Sequence, residues 1–417
     1  MKKKRNLSIL LISPFFHPHK GGSQRYMEEL YAHMHRKHSG VKIDVLAYNT
    51  DHARAKELYR GMTIYRIPAW HILNGQFTLP NIVSLVRWLL HHPKGSYDIV
   101  HTHIRFFDAT WWAWAYAKAI GAVSVFTEHV ASHPIHQYDP VTTIAKIIDV
   151  TLAKWSVKKY DCVTVTNKSA RTFLKYVTGV TQTVYLTYGG VDTDYFSPKR
   201  RKKRHIPHIA KTFGNADTII TYAGRIIWSK GMTYFYRAVR DSITSFPKRV
   251  YVVFAGPGDL LPDIREEIAK DNLEDRIFTT GSLEAKEVRD LLRATDIFVH
   301  PSHHNEGFPN VILEAGATEN FVIATKNAGV EEAITDKKTG LIIEQKNEAD
   351  MRRTMRWAVE HSDARRAMAH AFRKVIRRKF EWNNLSERFY ILLKRSFERQ
   401  TVREAFSHQV LKNLALS

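Results

Sequence analysis

The chain has 417 residues, 44% of them hydrophobic, a single cysteine (Cys162) and a formal charge of +22. Such a chain has room for two ordinary globular domains and is not disordered, and one cysteine excludes both an internal disulfide and a thiolate zinc site and fits a reducing compartment. No run of about 18 apolar residues could span a bilayer, and the positive surface favours anionic partners without choosing among nucleic acid, anionic lipid and phosphorylated substrates.

The opening "MKKKRNLSILLISPFFHP" imitates a secretory leader, but its apolar core is short, Pro14 and Pro18 follow at once and no small-residue cleavage site appears; it reads as a first buried strand. A Gly-Gly loop and the helical "SQRYMEELYAHMHRK" come next, then strands "KIDVLAYN" and "YDIVHTH", helical "DATWWAWAYAKAIG", strands "AVSVFTEH" and "YDCVTVTN", and helical "KSARTFLKYV". Proline and a basic run in "GGVDTDYFSPKRRKKRHIPH" break the pattern; Lys199–Arg204 reads most simply as a solvated linker. The series restarts with "DTIITYAGR" and helical "GMTYFYRAVRDSIT". Strands "VYVVFAGPG", "RIFTTGS", "DIFVHPS", "FVIATK" and "TGLIIE" follow, with helices between. Alternation of this kind predicts α/β architecture with two doubly wound parallel sheets. The expected boundaries are an N-terminal domain at 1–195, a second at 196–378 and a C-terminal helical segment at 379–417, whose Trp382, Leu385, Phe389 and Leu392 form an apolar stripe for docking.

Ligands of open α/β sheets bind at the carboxyl ends of the strands, and three stretches of the second half lie there. Arg225 and Lys230 in "AGRIIWSKG" offer two cations that suit a diphosphate; the plainer alternative is a pair of exposed basic residues. "AGPGD" is a weak Gly-x-Gly signal and equally a tight turn. In "HPSHHNEGFPNVILEAGA", Pro309 suits the first turn of a helix, so the backbone amides around Gly307 to Asn310 form an anion site. Glu314, more than a turn inside, can accept two ribose hydroxyls, and Glu306 can meet a second polar group. A glycosidase carboxylate pair is disfavoured, because those pairs stand roughly 5–9.5 Å apart and eight residues of helix rise about 12 Å. No ordinary P-loop, zinc-protease or nucleophile-elbow motif is present. The histidine pairs at 17/19, 101/103 and 303/304 lack an adjacent carboxylate cluster to complete a metal site, so no metal is expected.

With these residues in view, the chain resembles the retaining glycosyltransferases of family four, the "group 1" class. The resemblance runs in order through "HPHKGGSQRYMEEL", "DIVHTH", "FTEH", "GGVDTDYFSP", "GRIIWSKG", "FAGPGD", "DIFVHPSHHNEGFPNVILEA" and "AGVEEAI" and covers nearly the whole chain. It implies a GT-B fold, two Rossmann-like domains facing across a cleft, with the C-terminal helix crossing back to the first domain. It assigns the diphosphate to Arg225 and Lys230, the ribose to Glu314, and the transferred sugar to Glu306. Phosphate and sugar fall to the loop with Phe308 and Asn310, the donor phosphates to Gly21 and Gly22, and the reaction centre to His129. Departures from the family pattern are Gly189-Gly190-Val191-Asp192 for Asn-Gly-Val-Asp, Glu319-Asn320-Phe321 for Gly-x-Pro, and Ala328 for a glycine.

The resulting expectation is a retaining hexosyltransferase that uses a UDP- or GDP-sugar as co-substrate and no metal or other cofactor. The first half adds "GQFTLPNIVSLVRWLLHHPKG", with Ile82, Val83, Val86, Trp88, Leu89 and Leu90 beside Arg87, His91, His92 and Lys94, and the aromatic "RFFDATWWAWAY". These segments suit either an anionic membrane surface or burial against the sheet. On the first alternative the enzyme is cytoplasmic, visits the inner face of the cell membrane and acts on a lipid or lipid-linked glycan of cell-envelope biosynthesis. The rivals are a sugar-nucleotide epimerase on the same fold and a basic nucleic-acid-binding protein; the second lacks any recognised binding motif, and no nucleic acid is expected.

Overall fold

The computed structural model describes residues 6–19, 21–72, 77–133, 139–198, 206–209, 213, 218–303, 309–327 and 329–415. The chain divides into two compact units, Met1–Gly189 with Trp382–Ser417, and Gly190–Glu381. The basic run at 199–204 lies outside the described residues.

The first unit runs β1 (Ser8–Ser13), α1 (Gly22–Lys37), β2 (Lys42–Tyr48), β3 (Lys56–Tyr59), β4 (Met62–Ile67), β5 (Ala69–Ile72), β6 (Phe77–Pro80), α2 (Ile82–Leu90), β7 (Ile99–His103), α3 (Asp108–Ile120) and β8 (Val123–Glu128). Helix α4 (Asp139–Ile148) continues through a π-helical turn (Asp149–Ala153) into α5 (Lys154–Val157), before β9 (Cys162–Val165), α6 (Lys168–Thr178) and β10 (Val184–Leu186). The sheet order is β10-β9-β8-β7-β1-β2-β4-β3, parallel except for β3. Its strands read as apolar runs because both faces are covered. Helix α1 packs with Ile9, Leu11, Val45 and Ile64 on one face, whereas α2 and α3 pack with Leu10, Ile12 and Val100 on the other.

The second unit runs β11 (Thr218–Ala223), a 3₁₀ turn (Trp228–Lys230), α7 (Met232–Ile243), β12 (Val250–Ala255), α8 (Leu261–Lys270), β13 (Ile277–Gly281), α9 (Ala285–Ala294), β14 (Ile297–His300), α10 (Asn310–Ala317), β15 (Phe321–Thr325), α11 (Val330–Ala333), β16 (Leu341–Ile343), α12 (Glu348–Glu360) and α13 (Ser362–Lys379). Its all-parallel order, β13-β12-β11-β14-β15-β16, is the doubly wound order 3-2-1-4-5-6 within the unit. Residues 190–195 and 379–381, given to the flanking segments by the sequence reading, pack with this unit. The Val191 amide bonds to the Phe380 carbonyl at 2.8 Å, and the Glu381 carboxylate accepts from the Thr193 amide at 3.0 Å. Where the family has the glycine of Gly-x-Pro, Glu319 adopts a left-handed φ of +59°. Asn320 donates to the carbonyls of Leu292 and Thr295 at 2.9 and 2.8 Å.

Helix α14 (Trp382–Ala415) belongs to the first unit and lies on α1. Trp382, Leu385 and Phe389 are buried there, but the next buried position is Leu393, not Leu392, which is only partly buried. At about 100° per residue the two positions lie almost equally far from the centre of the stripe, and Leu392 also packs against this core from its edge. The apolar residues of α2 divide between the two alternatives. Trp88 and Leu89 pack against the core, Trp88 stacking on His92 at 3.9 Å, while Ile82, Val83, Val86 and Leu90 face solvent.

Candidate active site

In the second unit the strand order reverses between β11 and β14, the topological switch point where such sheets bind ligands. The segment after β11 carries Arg225, exposed, and Lys230, half-buried at the end of the 3₁₀ turn. That turn docks on the segment after β14: the Ser229 carbonyl accepts from the His303 amide at 3.3 Å and from Ser302 Oγ at 3.3 Å. The Trp228 ring meets His303 edge-on at 4.4 Å. Gly231, at φ +71°, makes the approach possible, since a Cβ there would stand 2.0 Å from the Pro301 carbonyl oxygen. "AGPGD" is part of the same construction. Amides of Gly224 and Ile226 bond to the carbonyls of Ala255 and Pro257 at 2.9 and 2.7 Å, and a Cβ on Gly256 would stand 1.9 Å from the Gly224 oxygen.

Helix α10 follows β14, the strand on the other side of the switch point. Pro309 stands at its N-cap, one residue earlier than expected, and its side chain makes no cap. Asn310 is its first residue and half-buried; Glu314, on the second turn, is buried. Gly316 lets α10 seat on α13, because a Cβ there would meet the Phe372 ring at 2.5 Å. Arg225, Lys230, Asn310 and Glu314 thus belong to segments that follow the two strands flanking one switch point. Glu306 and Phe308 lie outside the described residues, as does Ala328.

The first unit has its own switch point, between β1 and β7. Gly21 is the N-cap of α1 and Gly22 its first residue, again without a side-chain cap, and the space at Gly22 is open. His129 follows β8 and faces Tyr26 of α1 edge-on at 4.9 Å. Its Nε2 is 2.8 Å from Nδ1 of His103, which ends β7. The ring of His101 lies 4.1 Å from that of His103 and is bonded to Tyr31 at 2.5 Å and Thr127 at 2.7 Å. Burial pushes all three imidazoles down: His129 to about 4 against the pull of Glu128, His101 to about 3, and His103 well below its ordinary range.

Sequence reasoning did not assign His103, Tyr26 or the network beneath His129. Glu128 Oε1 accepts from the amides of His129 and Val130 at 2.8 and 3.0 Å. The buried guanidinium of Arg105 holds Glu128 at 2.9 Å and Asp149 at 2.9 Å, and His133 also reaches Asp149, at 2.8 Å. Asp149 opens the π-helical turn, so the irregularity in the helix carries a buried ionic partner for the loop that bears His129. The signal present in the sequence was the "HTH" at the end of β7, which parallel pairing registers beside β8, His103 against Thr127.

Two family models match the chain: "Glycosyl transferases group 1" over residues 208–375 and "Glycosyltransferase Family 4" over residues 20–195. An uncharacterized glycosyltransferase of Methanocaldococcus jannaschii is 21% identical over 95% of this chain and 99% of its own. The phosphatidylinositol N-acetylglucosaminyltransferase GPI3 subunit of Saccharomyces cerevisiae is 23% identical over 91% of this chain and 81% of its own. Among solved structures, HepE of Anabaena in complex with UDP and glucose has a TM-score of 0.70 at 16% identity, covering 93% of this chain and all (100%) of that one. One model on each half, in family order, together with this likeness of fold, identifies the chain as a family-four, group 1 glycosyltransferase built from two Rossmann-like domains of the GT-B class.

Proposed function

We propose that this glycosyltransferase moves a hexosyl group from a nucleoside diphosphate sugar, UDP- or GDP-linked, to an acceptor hydroxyl with retention of anomeric configuration. The observation that carries the reading is the second unit's switch point, where the loop of Arg225 and Lys230 is bonded to the segment leading to α10. Departure of a nucleoside diphosphate develops negative charge. Two cations and a helix start stabilise such charge without a metal ion or other cofactor. In this reading Glu314 holds the ribose, Asn310 and Phe308 the phosphate and sugar, and Glu306 the transferred sugar. Gly21 and Gly22 approach the donor phosphates, and His129 works at the reacting sugar. HepE, crystallised with UDP and glucose, supports the class of donor.

The acceptor in this reading is a lipid or lipid-linked glycan, met at the cytoplasmic face of a membrane. Support comes from the yeast relative, whose name carries phosphatidylinositol, and from the charge of +22. Among the described residues no helix is long and apolar enough to cross a membrane. The test is incubation with radiolabelled UDP- and GDP-sugars and membrane lipid extract, followed by NMR of the product. Label in the organic phase, with the donor's anomeric configuration kept, is the expected result. An inverted product refutes retention, and label transferred only to water-soluble acceptors refutes the lipid.

A further inference from the structure

The rod formed by α4, the π-helical turn and α5 is amphipathic in an unusual sense. Its inward residues are small or ionic: Ala145, Asp149, Ala153, Ser156 and Val157 are buried, with Asp149 tied to Arg105. Large apolar residues nonetheless face outward. Ile144, Ile147, Val150, Leu152 and Trp155 are each between 43% and 58% exposed. Single exposed apolar side chains are ordinary, but five within twelve positions of one element form a patch that marks an interaction surface. The residues between them decide the partner. Lys146, Lys154, Lys158 and Lys159 are exposed, and the only acidic residue from Thr142 to Tyr160 is the buried Asp149. Trp155 is edge-on to Trp114 at 5.2 Å, with Lys159 Nζ 5.9 Å from its ring centroid.

Helix α2 repeats the composition, with Ile82, Val83, Val86 and Leu90 exposed beside Arg87 and no acid along it. Both elements pack with α3. Tyr116 of α3 donates to the His92 carbonyl just past α2 at 2.9 Å, and α3 also packs against α5. The layer that covers one face of the first sheet therefore presents apolar side chains interleaved with cations on both flanks of α3.

We infer that the α4–α5 rod, with α2, is a docking surface for an anionic lipid headgroup layer. Isoleucine, valine, leucine and tryptophan enter the headgroup–acyl boundary, lysines extend to the anionic headgroups, and among the described side chains of α2, α4 and α5 no exposed carboxylate opposes them. A folded protein partner would need a complementary apolar groove and paired acids, whereas a lipid surface requires only this mixture. The inference deepens the membrane part of the proposed function and identifies surface residues for it other than Trp88 and Leu89, which pack inward.

The test is co-sedimentation of the full chain with phosphatidylcholine vesicles and with vesicles containing 30% phosphatidylglycerol, alongside calorimetric binding of a nucleotide sugar. Wild type should bind the anionic vesicles, and the fraction bound should fall in 0.5 M salt. The double variant Ile144→Glu, Ile147→Glu alters only exposed positions and should lose at least tenfold in vesicle affinity while keeping its unfolding temperature and donor binding. The pair Lys146→Glu, Lys154→Glu should weaken binding to the anionic vesicles. Absence of wild-type binding, or equal binding by the Ile144→Glu, Ile147→Glu variant, overturns the inference. So does concentration-dependent self-association in sedimentation velocity that this variant abolishes without any vesicle binding. Donor binding without vesicle binding refutes the surface alone; vesicle binding without donor binding refutes the transfer reading alone.

Discussion

His103 Nδ1 and His129 Nε2 lie 2.8 Å apart, and the other nitrogen of His103, buried, has no partner among the described residues. Both rings are neutral at physiological pH because burial lowers their basicity. One must donate and the other accept. An orphaned lone pair costs less than an orphaned N–H, so His103 donates from Nδ1, and His129 keeps its proton on Nδ1. In the proposed reading His103 is therefore a positioning residue that sets the tautomer His129 offers to its surroundings.

The corresponding prediction concerns kcat. His103→Phe leaves Nε2 of His129 buried and unpaired, a cost of about 1–3 kcal/mol, and should lower kcat roughly ten- to hundredfold with donor Kd unchanged. His103→Asn, whose amide nitrogen can replace Nδ1, should recover most of the loss. Nitrogen-15 NMR of His129 should report Nδ1–H in wild type and His103→Asn. Equal kcat in all three proteins, or an Nε2–H tautomer in wild type, contradicts the assignment.

The same histidines set an acid limit on stability. Unfolded, each imidazole takes up a proton near pH 6.5; folded, His129 stays neutral to about 4 and His101 to about 3. Between those limits the unfolded chain binds more protons, so stability falls as pH falls, by roughly 1.4 kcal/mol per pH unit for each histidine. Above pH 6.5 the three contribute no slope. Urea midpoints from pH 7.5 to 5 should decline, and His129→Ala should decline less steeply. A slope identical in the variant would be the contrary result.

Arg105 is held between two buried carboxylates; Asp149 accepts from its Nε at 3.0 Å and its Nη2 at 2.9 Å, so removing Asp149 leaves these buried donors unpaired while Glu128 still compensates the charge. Asp149→Ala should lower the free energy of unfolding by about 1.5–3 kcal/mol, read from denaturant curves. A loss below about 1 kcal/mol would mean that Glu128 alone satisfies the guanidinium.

Gly231 meets two demands, a positive φ and contact with the Pro301 carbonyl. Gly231→Ala should cost about 2 kcal/mol or more in stability, from strain and displaced backbone, and should weaken nucleotide binding because Lys230 moves with it. Gly22→Ala, where space is open, should cost less than about 1 kcal/mol. Thermal unfolding of both variants with and without UDP separates the two cases.

The alternation of strand and helix was legible because parallel strands covered on both faces read as apolar runs. The β3–β4 hairpin was not, since its turn is Arg60-Gly61, with φ of +48° and +83°, in place of the usual Asn-Gly. The α4–α5 rod was hidden because its apolar residues point outward and its inward face is alanine and a paired aspartate. On α14, Leu392 and Leu393 are adjacent, and only packing chooses between them. Arg225, Lys230, Asn310 and Glu314 were singled out by motif, whereas His103 is brought to His129 only by the pairing of strands 26 positions apart.

In the proposed function the second unit's switch point binds a nucleoside diphosphate sugar through Arg225, Lys230 and Glu314. The most direct measurement is calorimetric titration of UDP-, GDP- and ADP-sugars into wild type and into Arg225→Ala, Lys230→Ala and Glu314→Ala. Wild type should bind at least one donor saturably. Glu314→Ala should weaken that affinity, and each cation variant should lose about 2.7 kcal/mol or more of transition-state stabilisation, roughly a hundredfold in turnover. Binding of no donor, or wild-type affinity and turnover in all three variants, would contradict this assignment.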